Sequence, residues 1–300
     1  MNGVLILAGP TASGKSALAL ELAERFDAEI VGADSRQIYH GMPIGTAAPT
    51  AEERARVPHH LVEFLDPAER YSAARFTEDA LGAIEAIERH GRRAIVVGGT
   101  GFYLRALCGD VALSPAYDPE LRERLAREAR VHPSEALHEW LATRDPARAA
   151  AIAATDPYRI VRALEIALSR ESTSDAANPP RRSLRTLGLP VLKLALDVDD
   201  ATLDARIAAR VDGMLAAGFV AEAERVGADA VAADAVGYPQ ALAYASGYLS
   251  LAELRTLMIR ATKRYAKRQR TWFRGEPGMR RVALDDVAHA AASLPGWSRG

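Results

Sequence analysis

Cysteine is almost missing: Cys108 stands alone among 300 residues. A chain with one thiol can form neither an internal disulfide nor a cysteine-built zinc site, which fits a reducing compartment. Long apolar runs are missing too. The longest, around Val4 to Ala8 and Val191 to Leu196, fall far short of the roughly 20 residues that a bilayer span needs, and nothing at Met1 resembles a charged leader before a long apolar stretch. The expectation is a soluble, cytoplasmic protein with no membrane partner. The third absence is an excess of one charge: 38 Lys and Arg stand against 39 Asp and Glu, a net charge of -1. That excludes a chain basic throughout, but it averages over segments that can differ greatly and so does not exclude nucleic acid. What is present, 49% hydrophobic and 26% charged residues, supplies one large domain or two modest ones and rules out a disordered or fibrous chain.

The N-terminal stretch carries the most information. Val4 to Ala8 is the continuous apolar run of a strand buried on both faces, and it leads straight into Gly9-Pro10-Thr11-Ala12-Ser13-Gly14-Lys15-Ser16. Residues 17–26 then read as a helix. Further β-like runs at 29–32 and 94–97 end at Ala33-Asp34-Ser35 and at Gly98-Gly99-Thr100-Gly101, with helical spacing between them at Leu81, Ile84 and Ile87. Strands alternating with helices imply an α/β fold, a parallel sheet with helices on both faces. From about Asp110 the pattern is helical only. Asp118-Pro119, Asp145-Pro146 and Asp156-Pro157 mark helix starts, because aspartate caps the orphan amides while proline at the first helical position has no amide to lose. Residues 111–185 are therefore expected to be an inserted all-helical domain, closing in a Ser/Asn/Pro/Arg-rich stretch at 171–185 that reads as a flexible return linker. Residues 1–110 and 186–300 form the expected core, with a strand resuming at 191–197 and helices following to the C-terminus.

Gly9 to Ser16 satisfies G-x-x-x-x-G-K-[ST] in the context the motif requires, after a buried strand and before a helix. Its glycines let successive amides turn toward an anion, the helix N-terminus adds partial positive charge, Lys15 supplies a full charge, and Ser16 can ligate Mg2+. A glycine turn that merely joins strand to helix would not need this pattern. The loop predicts a bound di- or triphosphate without saying which; a kinase, an NTPase and a transferase with a diphosphate leaving group would all use it.

In open parallel sheets, ligands sit beyond the carboxyl ends of the strands, which makes Asp34 and Thr100 candidates for chemistry. Asp34 can accept a proton or ligate Mg2+, and Thr100 can hydrogen-bond a phosphate or a leaving-group oxygen. The competing reading is an aspartate capping the next turn and a threonine filling a glycine-rich corner; two such residues facing a phosphate loop weigh against it.

Taken in order, Gly9 to Ser16, Asp34-Ser35-Arg36-Gln37-Ile38-Tyr39, Gly45-Thr46-Ala47, Gly98-Gly99-Thr100-Gly101-Phe102-Tyr103, Arg159-Ile160-Val161-Arg162-Ala163-Leu164-Glu165, Ala235-Val236-Gly237-Tyr238 and Thr262-Lys263-Arg264-Tyr265-Ala266-Lys267-Arg268-Gln269 resemble the motifs of the tRNA dimethylallyltransferase family. The resemblance runs through about Phe273. It implies a P-loop NTPase-like core, transfer of a dimethylallyl group from dimethylallyl diphosphate to N6 of the adenosine 3′ of the anticodon in tRNA, and Mg2+ as cofactor. By the same resemblance Asp34 is the general base on the amine. Lys15, the amides of residues 9–16, Ser16 through Mg2+, and Thr100 stabilise charge on the leaving oxygen. Arg206 and Arg210 resemble family arginines near the diphosphate, and Arg210 is carried as a candidate. Asp34 to Gln37, Thr100, Arg122 and the block Tyr158, Arg159, Ile160, Val161, Arg162 resemble tRNA contacts; without the resemblance, a surface salt bridge would be the better account of each arginine in the insertion. The adenine, stacked in its loop, must be extracted to react.

Residues 250–274 read as one long helix opened by the capping box Ser250/Glu253. Leu251, Leu254, Met258, Ala261, Tyr265 and Trp272 share one face. Lys263, Lys267, Arg270 and Arg274 fall opposite, widened by Arg260, Arg264 and Arg268. A solvated face normally mixes signs, and no acidic residue lies between Arg255 and Arg274, so this face is expected to bind the phosphate backbone of tRNA, with Lys263, Lys267 and Arg270 foremost.

Other residues read as structural. His59 and His60 would point apart on an extended segment, with no third ligand spaced nearby; Trp140 belongs to the insertion core, and Cys108 to a buried thiol position. Against the family pattern, Tyr158 stands where glutamine is usual, Phe102 replaces a leucine, Pro239 replaces a basic residue, and residues 172–182 lack a Gly-Lys/Arg-Thr/Pro signature. These bear on how tRNA is gripped. An adenylate isopentenyltransferase acting on free AMP would need neither insertion nor basic helix, a small-molecule kinase would leave the Asp34 and Thr100 blocks unexplained, and a non-catalytic RNA-binding protein would have no use for the loop. A monomer is expected, since no long apolar stripe lacks an internal use.

Overall fold

The computed structural model describes residues 2–111, 118–172 and 182–297. Six strands, β1 (Val4–Ala8), β2 (Ala28–Gly32), β3 (His59–His60), β4 (Arg93–Gly98), β5 (Val191–Leu196) and β6 (Met279–Val282), form one sheet in the order β3-β2-β4-β1-β5-β6. Every pairing is parallel. Side chains alternate across the sheet, so Val4, Ile6, Val31 and Val96 pack with Phe76, Leu81, Ile84 and Leu104 on one face. Leu5, Leu7, Ile30 and Ile95 meet Leu18, Leu22, Phe26 and Trp297 on the other. Both faces are covered, as continuous apolar strands require.

Two strands were not anticipated, and β6 replaces the expected run of helices to the C-terminus. It pairs with β5 from Lys193↔Met279 to Leu196↔Val282, but its sequence Met-Arg-Arg-Val has no apolar run to announce it. It is held by that ladder and by Met279 and Val282, which pack against opposite faces of the sheet; the half-exposed Arg281 to Asp197 ion pair at 2.6 Å adds little. Edge strand β3 has two residues; His59 Nδ1 lies 2.8 Å from the Val57 carbonyl and His60 Nε2 lies 2.6 Å from Glu29.

The chain divides into two compact units, Met1–Val111 with Arg182–Gly300, and Ala112–Arg181. In the second, helices Pro119–Val131, Ser134–Arg144, Pro146–Ala150 and Pro157–Ser172 enclose Leu125, Leu137, Leu141, Ile160 and Leu164, with Trp140 packed against them. The three Asp-Pro starts cap as read: Asp118 accepts from the Glu120 and Leu121 amides, Asp145 from Arg148, Asp156 from Arg159. Much of the stretch read as a linker, 173–181, lies outside the described residues. Its last part belongs to the first unit, where Leu184 is fully buried and donates its amide to the Leu107 carbonyl at 2.9 Å.

A third apolar cluster, with Ile38, Met42, Phe219, Tyr238, Leu254 and Met258, lies outside the two sheet faces. It contains the first half of the Leu251–Arg274 helix, whose capping box is formed reciprocally by Ser250 and Glu253. The buried seam of that helix runs through Leu254, Met258, Ala266, Gln269 and Phe273, while Leu251 is exposed.

Candidate active site

The chain leaves β1 into the glycine-rich loop and re-enters regular structure in the Lys15–Phe26 helix, whose start no side chain caps. The amides of its first turn thus remain for a ligand, at the positive end of the helix dipole. A cavity of about 490 Å³ opens there. Loop residues 11–16 line it together with Leu20, Ile30, Asp34, Gln37, Thr46, Val62, Val97, Arg206 and Arg210. Gly9 and Pro10 are not in its wall. Lys15, Arg206 and Arg210 give this lining positive charge, and Leu20, Ile30, Val62 and Val97 give it apolar surface, with Glu53 and His59 also in the wall.

Three cations are aimed by backbone carbonyls. Lys15 Nζ lies 3.4 Å from the Pro10 carbonyl, Arg206 donates to Ser13 O at 3.0 Å, and Arg210 donates to Thr46 O at 3.3 Å. Burial lowers the Lys15 pKa to about 8; Asp34 works against that shift and Arg210 adds to it. Burial also pulls Arg210 below its ordinary value, with Asp34 opposing. An anion entering this cavity would meet Lys15 and Arg210 poorly solvated by water, which strengthens its attraction, together with Arg206, which is exposed.

Asp34 follows β2, and Thr100 follows β4. The strand ends are pressed together at Gly98, where a Cβ would sit 2.0 Å from the Ala33 carbonyl. This close approach lets the Thr100 hydroxyl accept from the Ser35 amide at 3.0 Å and lie 3.3 Å from Ser35 Oγ. Thr100 borders neither cavity of the site; its hydroxyl braces Ser35. Asp34 does two things at once, accepting from the Arg36 amide at 2.9 Å and lining the cavity. The turn-capping account of this aspartate is thus realised alongside the chemical one.

A second cavity of about 310 Å³ lies beyond Asp34, lined by Ser35, Arg36, Asp234, Val236, Met258, Tyr265 and Arg268. Thr11, Asp34, Thr46 and Arg210 belong to the walls of both cavities. Asp34 therefore belongs to the wall along which the two cavities adjoin. Burial raises the Tyr265 pKa, and Asp34 raises it further.

Two residues that organise the site were given no role by sequence reasoning. Buried Gln269, on the C-terminal helix, accepts from the Thr11 amide at 2.8 Å and donates to the Gly99 carbonyl at 3.0 Å, strapping the loop after β1 to the loop after β4. Fully buried Glu222 accepts from the amides of Ile44 and Gly45 at 2.9 and 2.7 Å and from the Tyr238 hydroxyl at 2.7 Å. Gly45 is required there, since a Cβ would meet Phe219 and Tyr238 within 2.6 Å. The turn so held presents the Thr46 carbonyl, which receives both Arg210 and the Gln37 amide. Gln37, expected to contact tRNA, is committed to Thr46 and Ala47 at 3.1 and 2.9 Å in the first cavity. The quoted motifs contain Gln269, Gln37 and Gly45 but not Glu222, and only the distant partners of these residues disclose what they do.

The residues expected to meet nucleic acid separate into paired and unpaired sets. Arg36 is bound to Asp234 at 2.7 Å. On the C-terminal helix, Lys263 pairs with Asp204 at 2.7 Å, Arg270 with Asp200 and Arg255 with Asp212. The acids that the helix lacks along its own sequence arrive from the neighbouring Asp200–Ala216 helix. Arg260, Arg264, Lys267, Arg268 and Arg274 are exposed and have no carboxylate partner among the described residues. Their spacing puts them on one stripe, so the unpaired face is rotated from the one centred on Lys263 and Arg270. In the insertion, Ile160 is fully buried in that unit's core and Val161 packs against it. Arg159 pairs with Asp156 at 3.4 Å and Arg162 with Glu165 at 2.6 Å, the salt-bridge account of both arginines. Tyr158 is 75% exposed, and Arg122 sits in the first turn of the Pro119–Val131 helix, its amide bonded to Asp118 O.

Among the described residues, no group of three or more His, Cys, Asp or Glu side chains could hold a metal ion, and no helix is long and apolar enough to cross a membrane. Cys108 is buried, which pushes its thiol up to about 11.

Compared with known proteins, residues 37–276 match the family model described as IPP transferase, and residues 2–60 match the one described as isopentenyl transferase. The tRNA dimethylallyltransferase of Burkholderia thailandensis is 45% identical over 301 residues, covering 97% of this chain and 92% of its own. That of Anaeromyxobacter dehalogenans is 46% identical, covering 92% and 93%. Among solved structures, the tRNA isopentenylpyrophosphate transferase of Bacillus halodurans aligns with a TM-score of 0.67 at 34% identity, over 95% of this chain and 90% of that one. A eukaryotic dimethylallyltransferase acting on tRNA shares the fold at a TM-score of 0.74 and 24% identity, over 96% and 75%.

Proposed function

Since the chain belongs to the tRNA dimethylallyltransferase family, we propose that its two cavities hold the two substrates of one prenyl transfer: dimethylallyl diphosphate in the cavity of the phosphate loop, and the adenosine 3′ of the anticodon in the cavity beyond Asp34. The observation that carries this reading is the shared wall of Thr11, Asp34, Thr46 and Arg210. In an in-line displacement the acceptor nitrogen enters on the face of the carbon opposite the departing diphosphate, and this wall is where two such ligands can meet.

The exocyclic amine of adenine is a weak nucleophile, and the allylic carbon turns electrophilic as its bond to the diphosphate oxygen lengthens. Asp34 accepts a hydrogen bond from N6 and takes its proton as the new C–N bond forms. The electron pair of the breaking C–O bond stays with the diphosphate, where Lys15, Arg206, Arg210 and the amides of residues 11–16 face the developing charge, fixed in advance by their carbonyl contacts. Thr100 acts through Ser35, holding the turn that carries Asp34. Ser16 would hold Mg2+ together with the diphosphate oxygens, a donor set that suits an ion which keeps several waters and needs few protein ligands; bound there, the ion supplies further neutralisation of the leaving group. Leu20, Ile30, Val62 and Val97 offer the hydrocarbon apolar surface. The stripe Arg260, Arg264, Lys267, Arg268 and Arg274 supports the reading of a polyanionic acceptor. The proposal includes a cytoplasmic enzyme acting as a monomer, the latter checked by light scattering after gel filtration.

Incubation with dimethylallyl diphosphate and Mg2+, with unmodified tRNA, AMP, or ATP and small acceptors offered in parallel, separates the rival reactions. Prenylated adenosine in tRNA, located by nuclease digestion and mass spectrometry, is the expected product. Product on AMP with none on tRNA would overturn the assignment.

A further inference from the structure

The chain passes between its two units twice, leaving the first after Val111 and re-entering it at Arg182. Both passages are tied to one buried carboxylate, and every tie lies within the first unit. On the way out, the Gly101–Cys108 helix ends on Gly109 and Asp110, whose amides donate to the carbonyls of Ala106 and Arg105, both at 3.0 Å. The Asp110 side chain is 6% exposed and uses both of its oxygens. Oδ1 takes Arg185 of the returning segment, and Oδ2 takes Lys193 of β5. Lys193 also donates to the Pro277 carbonyl at 3.1 Å, in the turn before β6. The two passages touch directly as well: Gly109 has a φ of +77°, and a Cβ there would lie 2.5 Å from Ser183 Oγ. Ser183 and Thr186 close the return by reciprocal bonds, amide to hydroxyl, at 2.8 and 3.2 Å.

A connection that merely leaves and returns needs none of this. Connecting segments ordinarily run in water, and a desolvated carboxylate destabilises a fold unless it is fully paired. We propose that Asp110 is a positioning residue for transfer to tRNA: it clasps the outgoing and returning passages on β5, so that the insertion, which carries Arg122 and Tyr158, has both of its ends fixed before RNA arrives. The proposal rests on the tRNA reading above. Ends fixed in advance spare the binding step an ordering cost. No residue of the clasp lines either substrate cavity, so the effect is confined to the macromolecular substrate. The clasp has two unequal halves. Lys193 is 14% exposed and Arg185 67%, so the tie to β5 is sheltered from salt while the tie to the returning segment is screened by it.

Asp110→Asn, which keeps the shape and removes the charge, tests it with two readouts. In the free protein, hydrogen exchange followed by mass spectrometry should speed up about ten-fold at residues 105–111 and 182–189 and stay unchanged in the sheet. In steady-state transfer, the KM for tRNA should rise about ten-fold, the factor that 1.4 kcal/mol represents, with kcat and the KM for dimethylallyl diphosphate unchanged. Asp110→Glu, which keeps the charge, should restore both readouts. If the KM for tRNA keeps its wild-type value, or moves together with that for dimethylallyl diphosphate, Asp110 positions nothing for tRNA and the proposal falls. Exchange that quickens throughout the sheet would reduce Asp110 to a structural group and overturn it too. Should Asp110→Asn fail to fold, Arg185→Ala takes its place, since it leaves Asp110 on Lys193. Exchange at 182–189 should quicken with added salt in the wild-type protein and be fast at every salt concentration in this variant, with the KM for tRNA raised about three-fold. Wild-type behaviour in both would reject the clasp. Failure of the wild-type protein to prenylate tRNA would instead overturn the tRNA reading itself, and the exchange measurements would still judge the clasp.

Discussion

The cavity at the glycine-rich loop and the outer face of the Leu251–Arg274 helix both present positive charge, and they organise it in opposite ways. In the cavity, Lys15, Arg206 and Arg210 each point at a backbone carbonyl, of Pro10, Ser13 and Thr46. A carbonyl fixes the direction of a cation without cancelling its charge, so the groups are aimed before the ligand arrives and lose little freedom when it does. On the helix face, Arg260, Arg264, Lys267, Arg268 and Arg274 stand exposed in water. Such cations gain from a polyanion mainly by releasing its counterions, which needs many charges and no fixed geometry. One arrangement suits a small anion that must be held still for chemistry. The other suits a large one that must be found and oriented.

That contrast implies that a change inside the cavity acts on catalysis or on the small substrate, and a change on the helix face acts on tRNA alone. Asp34→Ala is the severest case. Loss of the proposed general base should lower turnover by about 10²–10⁴, while tRNA binding should barely change. Single-turnover transfer measured beside a tRNA binding titration checks both halves. If affinity fell and turnover survived, Asp34 would be a tRNA ligand and the division would collapse.

Glu222 and Gln269 come next, because they hold the cavity without touching its contents. Glu222→Gln places an amide N–H against the Ile44 or Gly45 amide or the Tyr238 hydroxyl, and should cost about 1–3 kcal/mol of stability. It should also raise the KM for dimethylallyl diphosphate more than it lowers kcat, since the Thr46 carbonyl that aims Arg210 loses its fixed position. Gln269→Leu releases Thr11 from Gly99 and should act likewise. Denaturant unfolding together with steady-state kinetics measures both. A stability loss with the KM intact would reduce Glu222 to a structural group.

These two residues show what can be read from a chain before folding. The loop from Gly9 to Ser16 is legible because its function is local: adjacent amides, a helix start and a lysine, all within one turn of chain. The Asp-Pro helix starts are legible for the same reason. Strand β6 is not, since Met279 to Val282 owes its conformation to β5, over eighty residues away in sequence. Nor are the partners of Lys263 and Arg270, which come from the Asp200–Ala216 helix. Helical periodicity located the cations of 255–274 on a helix, but which of them stay unpaired depends on a packing neighbour that periodicity cannot see. The roles of Glu222 and Gln269 likewise arise from contacts spanning 177 and 258 residues.

The pH dependence of the cavity carries a definite sign. Lys15 is protonated at neutral pH and loses its proton as pH rises through about 8, well before an ordinary lysine would at 10.5. Affinity of the free enzyme for dimethylallyl diphosphate should therefore decline above pH 8, and binding there should take up a proton. Stability has the opposite slope. Between about 8 and 10.5 the unfolded chain holds more protons at this site than the folded one, so the contribution of Lys15 to stability rises with pH across that window. Calorimetry in buffers of different ionisation enthalpy measures the proton uptake, and its absence would mean that Lys15 keeps an ordinary pKa.

The smallest effects divide the C-terminal helix against itself. Removing an unpaired cation, as in Lys267→Ala, should weaken tRNA binding at low salt and lower the slope of log affinity against log salt by about one unit. Lys263→Ala should do less, because Lys263 is already paired with Asp204 at 2.7 Å: the substitution exposes a carboxylate as it removes an ammonium. Asp204→Ala supplies the third corner of the comparison. It frees Lys263 on the flank of the helix, and if that flank lies within reach of the RNA backbone, it should strengthen tRNA binding and steepen the salt slope. Equal losses for Lys263→Ala and Lys267→Ala would mean that the bridge to Asp204 opens when tRNA arrives. The whole helix, and not only its unpaired stripe, would then be the surface that meets the RNA.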